Sequence, residues 1–347
     1  MQRVFSHRLG ENKIEAKALI TDAMENIDND SNMLILSKHV VKNLLSIEDA
    51  IDAVERSFIL TARNEVIMPP KLYLELLSYG GDFRAMPAYV EGIAGIKWVS
   101  VHPDNHYQCL PSVQATIILN DPATGKVLAI MDGAYITNMR TGAAGAVAVK
   151  YLARKDSSVI GMVGAGTQAK TQLIAVSKVM PGIKEIKVYD MLESVREEYV
   201  SDMKRTMECD IRAVNNLEEV SDADIVITTT PSRKPLIKER YIKPGTHINA
   251  IGADAPGKQE LESSLVMKSR VIVDNIEQAC HSGEVNVPLF EGTIVRENIT
   301  GTIGEVIIRA IVGRQNDQEI TIFDSTGLAV QDIICAKSVY QKLISTK

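Results

Sequence analysis

A glycine-rich segment, Gly164–Ala169 (GAGTQA), has the residue types and spacing of a phosphate-binding loop. It matches the pattern GxGxxG/A, in which Gly164 permits a tight turn and Gly166 lets the backbone approach a pyrophosphate. The apolar run Val159–Val163 precedes it and a helix-forming stretch follows it, as the pattern requires. The N–H groups at the start of that helix would bind phosphate. The segment therefore predicts a dinucleotide site; the alternative is a glycine turn that binds no nucleotide.

The residues after the next predicted strand indicate which dinucleotide would bind. Asp190 follows the apolar run Ile186–Tyr189 and can accept hydrogen bonds from ribose hydroxyls. Its charge would repel the 2′-phosphate of NADP. Arg196 comes six residues later, and because an arginine there could bind that phosphate, NADP stays open. Together these residues favour NAD.

Four cations upstream of this segment are candidates for substrate binding or proton transfer. Lys97 lies in the apolar, strand-like run Gly95–Val99, where it is either an outward, solvated side chain or a desolvated functional amine. Arg84 and Lys71, each taken alone, would be surface charges. Arg140 precedes a stretch of small residues and could bind a carboxylate or a phosphate through two hydrogen bonds.

An acidic residue follows one of the later apolar runs. Asp254 lies just past Ile248–Ile251, and open α/β sheets bind ligands at the carboxyl ends of their strands. This position suits an acid or base beside a nicotinamide ring. The alternative is that Asp254 caps a turn before Pro256. The histidines and the four cysteines show no metal-ligand spacing, so we predict no metal site.

Composition and charge exclude several classes of protein. The 347 residues include 38 Lys and Arg and 44 Asp and Glu, and the net charge of −6 argues against broad binding to nucleic acid. Apolar runs stay well short of the roughly 18 residues that a membrane helix needs, and the first residues lack the apolar core of a secretory signal. We therefore expect a cytoplasmic protein with free thiols and no membrane or nucleic-acid partner.

The predicted elements would hold the candidate residues in two kinds of sheet. A short strand at Leu34–Leu36 and a helix N-capped by Ser46 come first, and from about 68 to 130 the pattern changes to short strand-like runs punctuated by Pro and Gly. These runs include 72–76, 96–101, 114–119 and 127–131. A helix is predicted over 141–152, where small residues would let it approach a neighbour. From Ser158 onward, continuous apolar strands alternate with helices, which is typical of a parallel sheet covered on both faces. The predicted strands are 159–163, 186–189, 225–228, 248–251, 271–273 and 320–323.

These patterns predict an α/β fold, with a Rossmann-type doubly wound parallel sheet inserted into a second, mixed α+β substrate and dimerisation domain. The predicted boundaries are a helical or loosely ordered N-terminal extension at 1–32, a substrate and dimerisation domain at 33–141 and an NAD-binding domain at 142–319. Residues 320–347 would return to the substrate and dimerisation domain.

Eight segments resemble the ornithine cyclodeaminase/μ-crystallin family, most closely its archaeal-type alanine dehydrogenase branch. The resemblance covers residues 33–347 and rests on MPPKLYLEL, RAMPA, GIKWVSVHPDN, RTGAAGAVAVKYLARK, GAGTQA, TTTPSRKP, HINAIGADAPGKQEL and FDSTGLAVQD. It implies NAD as the cofactor and a homodimer built through the domains that do not bind the nucleotide.

The resemblance also implies a role for each candidate residue. Lys97 resembles the family's active-site lysine, Asp254 its catalytic aspartate, and Arg140 the arginine near the substrate carboxylate and the cofactor. The other positions that the glycine-rich pattern or the resemblance places beside the cofactor are Ser112, Thr141, Gly164, Gly166, Thr167, Gln168, Asp190, Thr229, Thr230, Pro231, Lys258 and Ser325.

One position departs from the cyclodeaminases, in which a glutamate before the Met-Pro pair helps to hold a diamino substrate. Arg84 stands there, and a cation would repel the distal ammonium of ornithine but bind a small substrate's carboxylate. The resemblance therefore implies reversible, NAD-dependent oxidation of L-alanine to pyruvate and ammonium, with Arg84 and Lys71 on the carboxylate. Lys97 and Asp254 would transfer protons, and burial beside Arg84 would depress the pKa of Lys97.

Three other functions stay open. The first is cyclodeamination of ornithine to proline and ammonia, in which NAD is reduced and reoxidised within one cycle. The second is reduction of cyclic imines, as in ketimine or pyrroline-carboxylate reductases. The third is a non-catalytic binding protein, against which the presence of Lys97, Arg140 and Asp254 argues.

Overall fold

Two β-sheets organise the chain in a computed structural model that describes residues 33–345. The predicted N-terminal extension at 1–32 lies outside the described residues. The chain divides into two compact units, which we call the first and the second unit. The first unit contains the described residues up to Asp49, Val66–Thr137 and the residues from Ala329 onward, and the second contains Ala50–Glu65 and Asn138–Leu328.

The strands and helices of the described chain are numbered here in chain order. The strands are β1 (Leu34–Leu36), β2 (Val66–Ile67), β3 (Leu72–Leu76), β4 (Gly81–Val90), β5 (Ile93–Val101), β6 (Val113–Asn120), β7 (Val127–Asp132), β8 (Val159–Val163), β9 (Glu185–Tyr189), β10 (Asp210–Ala213), β11 (Ile225–Thr228), β12 (His247–Ala250), β13 (Arg270–Val273), β14 (Ile299–Thr302) and β15 (Thr321–Asp324). The α-helices are α1 (Lys38–Leu44), α2 (Ile47–Ala62), α3 (Gly133–Leu152), α4 (Thr167–Val179), α5 (Glu193–Met203), α6 (Leu217–Ser221), α7 (Ser263–Lys268), α8 (Ile276–Ser282), α9 (Asn286–Phe290), α10 (Ile303–Ile307) and α11 (Ala329–Ser345).

The first unit is built on a mixed sheet of seven strands. Its order is β1-β7-β6-β5-β4-β2, with β3 also paired to β4. β1 runs parallel to β7, and the other pairs are antiparallel. Helix α11 packs against β4 and β5, so alternate side chains of these strands are buried beneath it. They are Arg84, Met86, Ala88 and Val90 on β4, and Lys97 and Val99 on β5.

β4 was not predicted as a strand, because its sequence GDFRAMPAYV contains Gly, Asp and Pro, which are depleted in strands. Pro87 lies between the stretch that pairs with β3, which ends at Ala85, and the stretch that pairs with β2, which begins at Tyr89. No hydrogen bond to β2 or β3 is therefore lost at the residue that has no N–H.

The second unit is built on a sheet of eight parallel strands in the order β10-β9-β8-β11-β12-β15-β13-β14. Numbered from β8, the first five positions have the Rossmann order 3-2-1-4-5. Strands β8, β11 and β12 are almost completely buried, as expected at the centre of a sheet covered on both faces. The predicted fold class, α/β with a Rossmann-type doubly wound parallel sheet and a second, mixed sheet, is confirmed.

Helix α3 begins earlier than predicted. The prediction placed its first residue at 141, but it starts at Gly133, because the Asp132 carboxylate accepts a hydrogen bond from the Tyr135 N–H (3.0 Å) and stabilises the first turn. Arg140 and Thr141 therefore lie inside the helix, and the prediction that Arg140 precedes it is wrong.

The predicted domain boundaries stay a prediction, because compactness does not assign a function to either unit. Strand β15, predicted at 320–323, pairs with β12 and β13 and lies in the second unit. The chain enters the first unit again at Ala329. Among residues 33–345, no helix is both long enough and apolar enough to cross a membrane.

Candidate active site

The glycine-rich segment lies at the switch point of the parallel sheet, where β8 and β11 are neighbours. Gly164 has a φ of +93°, and a Cβ atom there would lie 2.8 Å from the Thr229 Oγ1. Its N–H donates to the Tyr189 carbonyl oxygen (2.9 Å), and the Thr229 N–H donates to the Val163 carbonyl oxygen (2.9 Å). Only glycine satisfies both the left-handed backbone and the close approach to the loop after β11.

The start of helix α4 fits a pyrophosphate. Gly166 is its N-cap residue and offers no side-chain cap, and a Cβ at Gly166 would have no neighbour within 4 Å. The N–H groups of the first turn, from Thr167 and Gln168 onward, therefore face space that a phosphate can fill. The buried Ala169 is small enough for helix α4 to pack on the sheet.

Asp190 lies at the carboxyl end of β9, beside the glycine-rich segment. One of its carboxylate oxygens accepts the Ala165 N–H (3.0 Å) and the other accepts the Leu192 N–H (2.9 Å). Arg196 is buried, and its guanidinium donates to the Asp190 carbonyl oxygen and to the Asn215 side chain (2.7 Å). Because Arg196 holds the loop from within, the geometry favours a ribose hydroxyl at Asp190 over a 2′-phosphate.

Other predicted cofactor residues gather at the same edge of the sheet. Thr229, Thr230 and Pro231 follow β11, and Ser325, which is buried, follows β15 and donates its N–H to the Ala250 carbonyl oxygen (3.0 Å). The loops after β8, β11, β12 and β15 therefore form one edge, as the sequence predicted for a nucleotide site.

Asp254 lies in the loop after β12 and forms an ion pair with Lys258 (2.5 Å). The Asp254 side chain is about one-third exposed, at 36%, whereas that of Lys258 is 17% exposed. Lys258 was predicted to approach the cofactor. In the structure its ammonium pairs with the carboxylate of Asp254, the predicted catalytic acid.

Arg140 and Thr141 are buried in helix α3, also within the second unit. A Cβ at Gly327 would lie 2.5 Å from the Arg140 Nη1, so the loop after β15 passes directly over the guanidinium. The Thr141 carbonyl oxygen accepts the Gln172 side-chain amide (2.7 Å), and Gly142 lies against the Thr171 backbone. The small residues of α3 thus permit close packing on α4, as predicted.

In the first unit, Lys97 and Arg84 lie on one buried face. Their strands place Met86 opposite Lys97 and Val99 opposite Arg84, so the two cations are diagonal neighbours beneath α11. Lys97 is 1% exposed, so the solvated interpretation of this lysine is wrong. Arg84 is also buried, so it is not a surface charge.

Each of these two cations has its own carboxylate. The Lys97 ammonium forms an ion pair with Asp332 (2.7 Å) on helix α11, and Asp332 is fully buried. The Arg84 guanidinium donates to both carboxylate oxygens of Asp82 (2.7 and 3.1 Å) and lies 5.3 Å from the centre of the Tyr73 ring. The Asp332 carboxylate therefore balances the charge of the Lys97 side chain within the buried face, and the predicted depression of the Lys97 pKa stays a prediction.

Asp332 was missed by the sequence analysis. The only signal was an acidic residue among apolar ones in the segment FDSTGLAVQD, and its partner Lys97 is far away in the sequence. Lys71 and Ser112 are half-buried in the same unit; the Ser112 hydroxyl donates weakly to the Pro103 carbonyl oxygen (3.5 Å). Asp254 belongs to the second unit, so its predicted meeting with Lys97 and Arg84 stays a prediction.

The described part of the chain contains no group of three or more His, Cys, Asp or Glu residues that could hold a metal ion.

Comparison with known proteins identifies the family. Residues 31–347 match the ornithine cyclodeaminase/mu-crystallin family. This chain belongs to that family.

Within the ornithine cyclodeaminase/mu-crystallin family, the chain is similar to the alanine dehydrogenase of Archaeoglobus fulgidus, at 50% identity over 90% of this chain and 95% of the relative. An archaeal alanine dehydrogenase dimer solved with bound NAD aligns with a TM-score of 0.87 at 50% identity, covering 90% and 96% of the two chains. The Thermococcus litoralis Δ1-pyrroline-2-carboxylate reductase, solved with NADH and L-proline, aligns with a TM-score of 0.88 at 39% identity, covering 90% and 98%.

Proposed function

We propose that this chain is an NAD-dependent alanine dehydrogenase, which interconverts L-alanine and pyruvate with ammonium. The observation that carries the proposal is the buried face on which Arg84 and Lys97 lie side by side. A buried arginine at this position suits a small substrate whose only anionic group is its carboxylate, and it repels a second ammonium group. The relative from A. fulgidus, at 50% identity, supports the same activity.

NAD is the proposed cofactor, and it supplies the acceptor for the hydride of the substrate α-carbon. The residues that would hold it are the glycine-rich segment, Asp190, the loop Thr229–Pro231, Lys258 and Ser325, with Ser112, Arg140 and Thr141 from the other predicted positions. In the second unit, the uncapped start of α4 fits the pyrophosphate and Asp190 fits the ribose.

The chain's own residues would orient the substrate and move protons. Arg84 and Lys71 bind the substrate carboxylate, and Asp82 fixes the Arg84 guanidinium from its Nε side. Lys97 and Asp254 exchange protons with the amino group and with the water that attacks the iminium carbon. Asp332 holds the Lys97 ammonium in place and balances its charge in the buried site.

The proposed assembly is a homodimer formed through the sheet of the first unit. The face of that sheet away from α11 exposes large apolar side chains: Leu72 is 61% exposed, and Leu74 and Trp98 lie on the same face. The Trp98 ring stacks on Phe83, with 5.4 Å between ring centres. An apolar face of this kind is typical of an interface between subunits. The relative solved with NAD is itself a dimer.

The proposed compartment is the cytoplasm. The four cysteines, Cys109, Cys209, Cys280 and Cys335, are free thiols, which suits a reducing compartment. Proposed partners are thus a small amino acid or 2-oxo acid and a second copy of the chain, without a membrane or nucleic acid.

Reduction of a cyclic imine is the second candidate function. It is favoured by the similarity to the T. litoralis reductase, which aligns as well as the dehydrogenase does. Both reactions interconvert a C–N single bond and a C=N double bond at the carbon that carries the carboxylate, so the same Arg84 and Lys97 would serve either one. Ornithine cyclodeamination is disfavoured, because Arg84 would lie near the distal ammonium.

A substrate panel read by NADH absorbance at pH 8 to 10 tests the proposal. We expect net NADH with L-alanine and NAD, and none with L-ornithine. NADH consumption by Δ1-pyrroline-2-carboxylate, without any reaction of alanine or pyruvate, would overturn the alanine assignment in favour of the reductase. Proline formed from ornithine without net NADH would support cyclodeamination instead.

The Lys97→Ala variant tests the proposed proton transfer. Turnover should fall by about 100-fold or more, since a positioned acid–base group contributes that much, while NADH still binds. The control is Lys187→Ala, which removes another buried lysine of a strand. Lys187 lies in β9, and its ammonium donates to the Asp222 carbonyl oxygen (2.7 Å). This control should lose stability and keep its kcat. Undiminished turnover in Lys97→Ala would contradict the assignment.

A further inference from the structure

Two loops that carry predicted site residues leave the parallel sheet side by side. β11 and β12 are neighbours in register, with Thr228 opposite Ala250 at their carboxyl ends. The loop after β11 carries Thr229–Pro231, and the loop after β12 carries Asp254. The relative position of these loops sets the distance between the cofactor wall and the acid.

A single carboxylate, that of Glu260, joins the two loops. Its Oε1 accepts the Thr230 N–H (2.6 Å) and the Thr230 hydroxyl (2.7 Å). Its Oε2 accepts the Thr228 hydroxyl (2.7 Å) and the Gly252 N–H (2.9 Å). Each oxygen therefore receives one backbone N–H and one hydroxyl, and each loop contributes one of the two N–H groups.

The two loops approach each other as closely as their backbones allow. A Cβ atom at Gly252 would lie 2.6 Å from the Glu260 Oε2 and would overlap the Thr230 carbonyl oxygen. Glycine is thus required for the second loop to reach the carboxylate. Asp254 follows two residues later, so its backbone is anchored next to the cofactor wall.

The backbone of Glu260 is itself held on both sides. Its carbonyl oxygen accepts the N–H groups of Leu236 and Ile237 (2.7 and 3.0 Å), and its own N–H donates to the Glu284 carboxylate (3.0 Å). The residue is 0% exposed, and in the described part of the chain its carboxylate has no ion pair with a cation. Because Glu260 is buried and its backbone is hydrogen-bonded on both sides, its carboxylate can hold both loops in fixed positions.

We propose that Glu260 is a positioning residue, which sets the place of Asp254 relative to the cofactor wall Thr229–Pro231. The inference rests on the proposed function of Asp254 as the acid. Glu260 touches neither substrate nor cofactor in this scheme; it acts through the Thr230 and Gly252 N–H groups. Its role is to hold the two loops at a fixed distance from each other, so that the acid on one loop keeps its position relative to the cofactor wall on the other.

The Glu260→Gln variant breaks this bridge selectively. The amide keeps the shape of the carboxylate, but its NH2 group can only donate. Because each side of the site presents one backbone N–H, either orientation of the amide sets an N–H against an N–H of Thr230 or Gly252. The hydroxyls of Thr228 and Thr230 can turn to accept. One of the two loops therefore always loses its anchor.

The matched control is Asp224→Asn, at the other end of the same sheet. Asp224 is also a buried carboxylate that accepts two backbone N–H groups, those of Ser158 and Val159 (2.8 and 3.1 Å). It directly precedes β11, so it lies at the amino edge, away from the predicted site. Comparable losses of stability in the two variants let a positioning effect be separated from general destabilisation.

The first readout is steady-state kinetics and NADH binding of the full chain. We expect Glu260→Gln to lower kcat by about 10- to 100-fold, as for a misplaced catalytic group, with a change of less than about 3-fold in the Kd of NADH. Asp224→Asn should keep kcat within about 2-fold. Wild-type kcat in Glu260→Gln, or equal losses of kcat in the two variants, would overturn the proposal.

The second readout does not depend on activity. Amide hydrogen exchange of the cofactor-free protein should rise in Glu260→Gln at 229–231 or at 251–254, and in Asp224→Asn at 158–159 instead. If alanine proves not to be the substrate, these exchange rates, and the kcat ratio on whichever substrate the panel identifies, still test Glu260. Unchanged exchange in both loops would overturn the proposal even if the alanine assignment holds.

A milder variant covers the case in which Glu260→Gln does not fold. Thr228→Val removes one hydroxyl donor to Oε2 and leaves both backbone anchors in place. It should lower kcat by about 2- to 5-fold at unchanged NADH affinity. An unchanged kcat together with unchanged exchange at Gly252 would contradict the bridge.

Discussion

The two edges of the parallel sheet hold buried carboxylates in opposite electrostatic surroundings. At the amino edge, Asp224 accepts the N–H groups of Ser158 and Val159 and forms ion pairs with Arg154 (3.0 Å) and Lys243 (3.2 Å). Burial alone would raise the pKa of Asp224, but these hydrogen bonds and Lys243 lower it below its ordinary value.

The carboxyl edge has no such cation at its central carboxylate. Burial raises the pKa of Glu260, and the hydrogen bonds from Thr228, Thr230 and Gly252 only partly oppose that rise. The pKa of the neighbouring Glu284 is raised well above its ordinary value, because burial and the charge of Glu260 both disfavour its ionised form.

The difference indicates how the sheet divides its tasks. At the amino edge, the Asp224 carboxylate is paired with cations, so its ionisation stabilises the native state. The carboxyl edge uses carboxylates that are costly to ionise, but it gains loops held in fixed positions beside the predicted site. In this sheet, the fixed positions at the carboxyl edge come at the expense of stability.

The largest contrast between the edges concerns glycine. Gly164, at the carboxyl edge, has a left-handed backbone and no room for a Cβ beside Thr229. Gly164→Ala should therefore raise the Kd of NADH by about 5- to 150-fold, since a strained loop costs of order 1–3 kcal/mol. Fluorescence titration with NADH measures this.

The control for that prediction is Gly182→Ala, in the turn that leads to the amino end of β9. Its Cβ would have no neighbour closer than the Ser157 carbonyl oxygen at 3.9 Å. NADH affinity should be unchanged in this variant. Equal losses of affinity in the two variants would remove the distinction between the edges.

The second contrast concerns pH. Asp324, the last residue of β15, is fully buried, and burial raises its pKa to about 8. The native state therefore keeps a proton that the unfolded chain releases near pH 4, so stability falls as the pH rises from about 5 to 8. Asp324→Asn cannot ionise and should flatten this slope by up to about 1.4 kcal/mol per pH unit.

Urea unfolding between pH 5 and 8 measures the effect of Asp324→Asn. Glu260 and Glu284, whose pKa values are also raised, keep their share of the slope. Parallel profiles of variant and wild type over this range would mean that Asp324 ionises freely in the native state.

The smallest effect belongs to the amino edge and has the opposite sign. Because its pKa is lowered in the native state, Asp224 stabilises the protein above the pKa of the unfolded chain, and this contribution is lost as the pH falls through the native pKa. Asp224→Asn should be less stable than wild type at pH 7 by about 1 kcal/mol, and the gap should close in acid. Thermal unfolding at pH 3 and 7 checks this; a gap that widens in acid would refute it.

Much of the parallel sheet was predictable, because its strands read as continuous apolar runs. β8 (Val159–Val163) and β11 (Ile225–Thr228) have the predicted bounds. The strands that were missed, β10 and β14, are edge strands of four residues whose sequences, DIRA and ITGT, lack that continuity. Tertiary pairing decides such segments, and local patterns do not.

The site was predictable only where local sequence determines it. The glycine-rich segment carries its own geometry, so its position after β8 followed from the pattern. Lys97 was ambiguous because a strand pattern does not tell which face is covered, and α11 covers it from the other end of the chain. Asp332 and Glu260 act through partners distant in sequence: Asp332 offered only the signal of an acidic residue among apolar ones, and no local pattern indicates the role of Glu260.

The proline of β4 has a consequence for the part of this strand that lies unpaired between β3 and β2. Between β3 and β2, the main chain at 86–88 presents a short gap along the outer side of β4. An intruding strand from another molecule would need a donor there, and Pro87 cannot supply one. The gap is thus a poor template for pairing with a strand from another molecule.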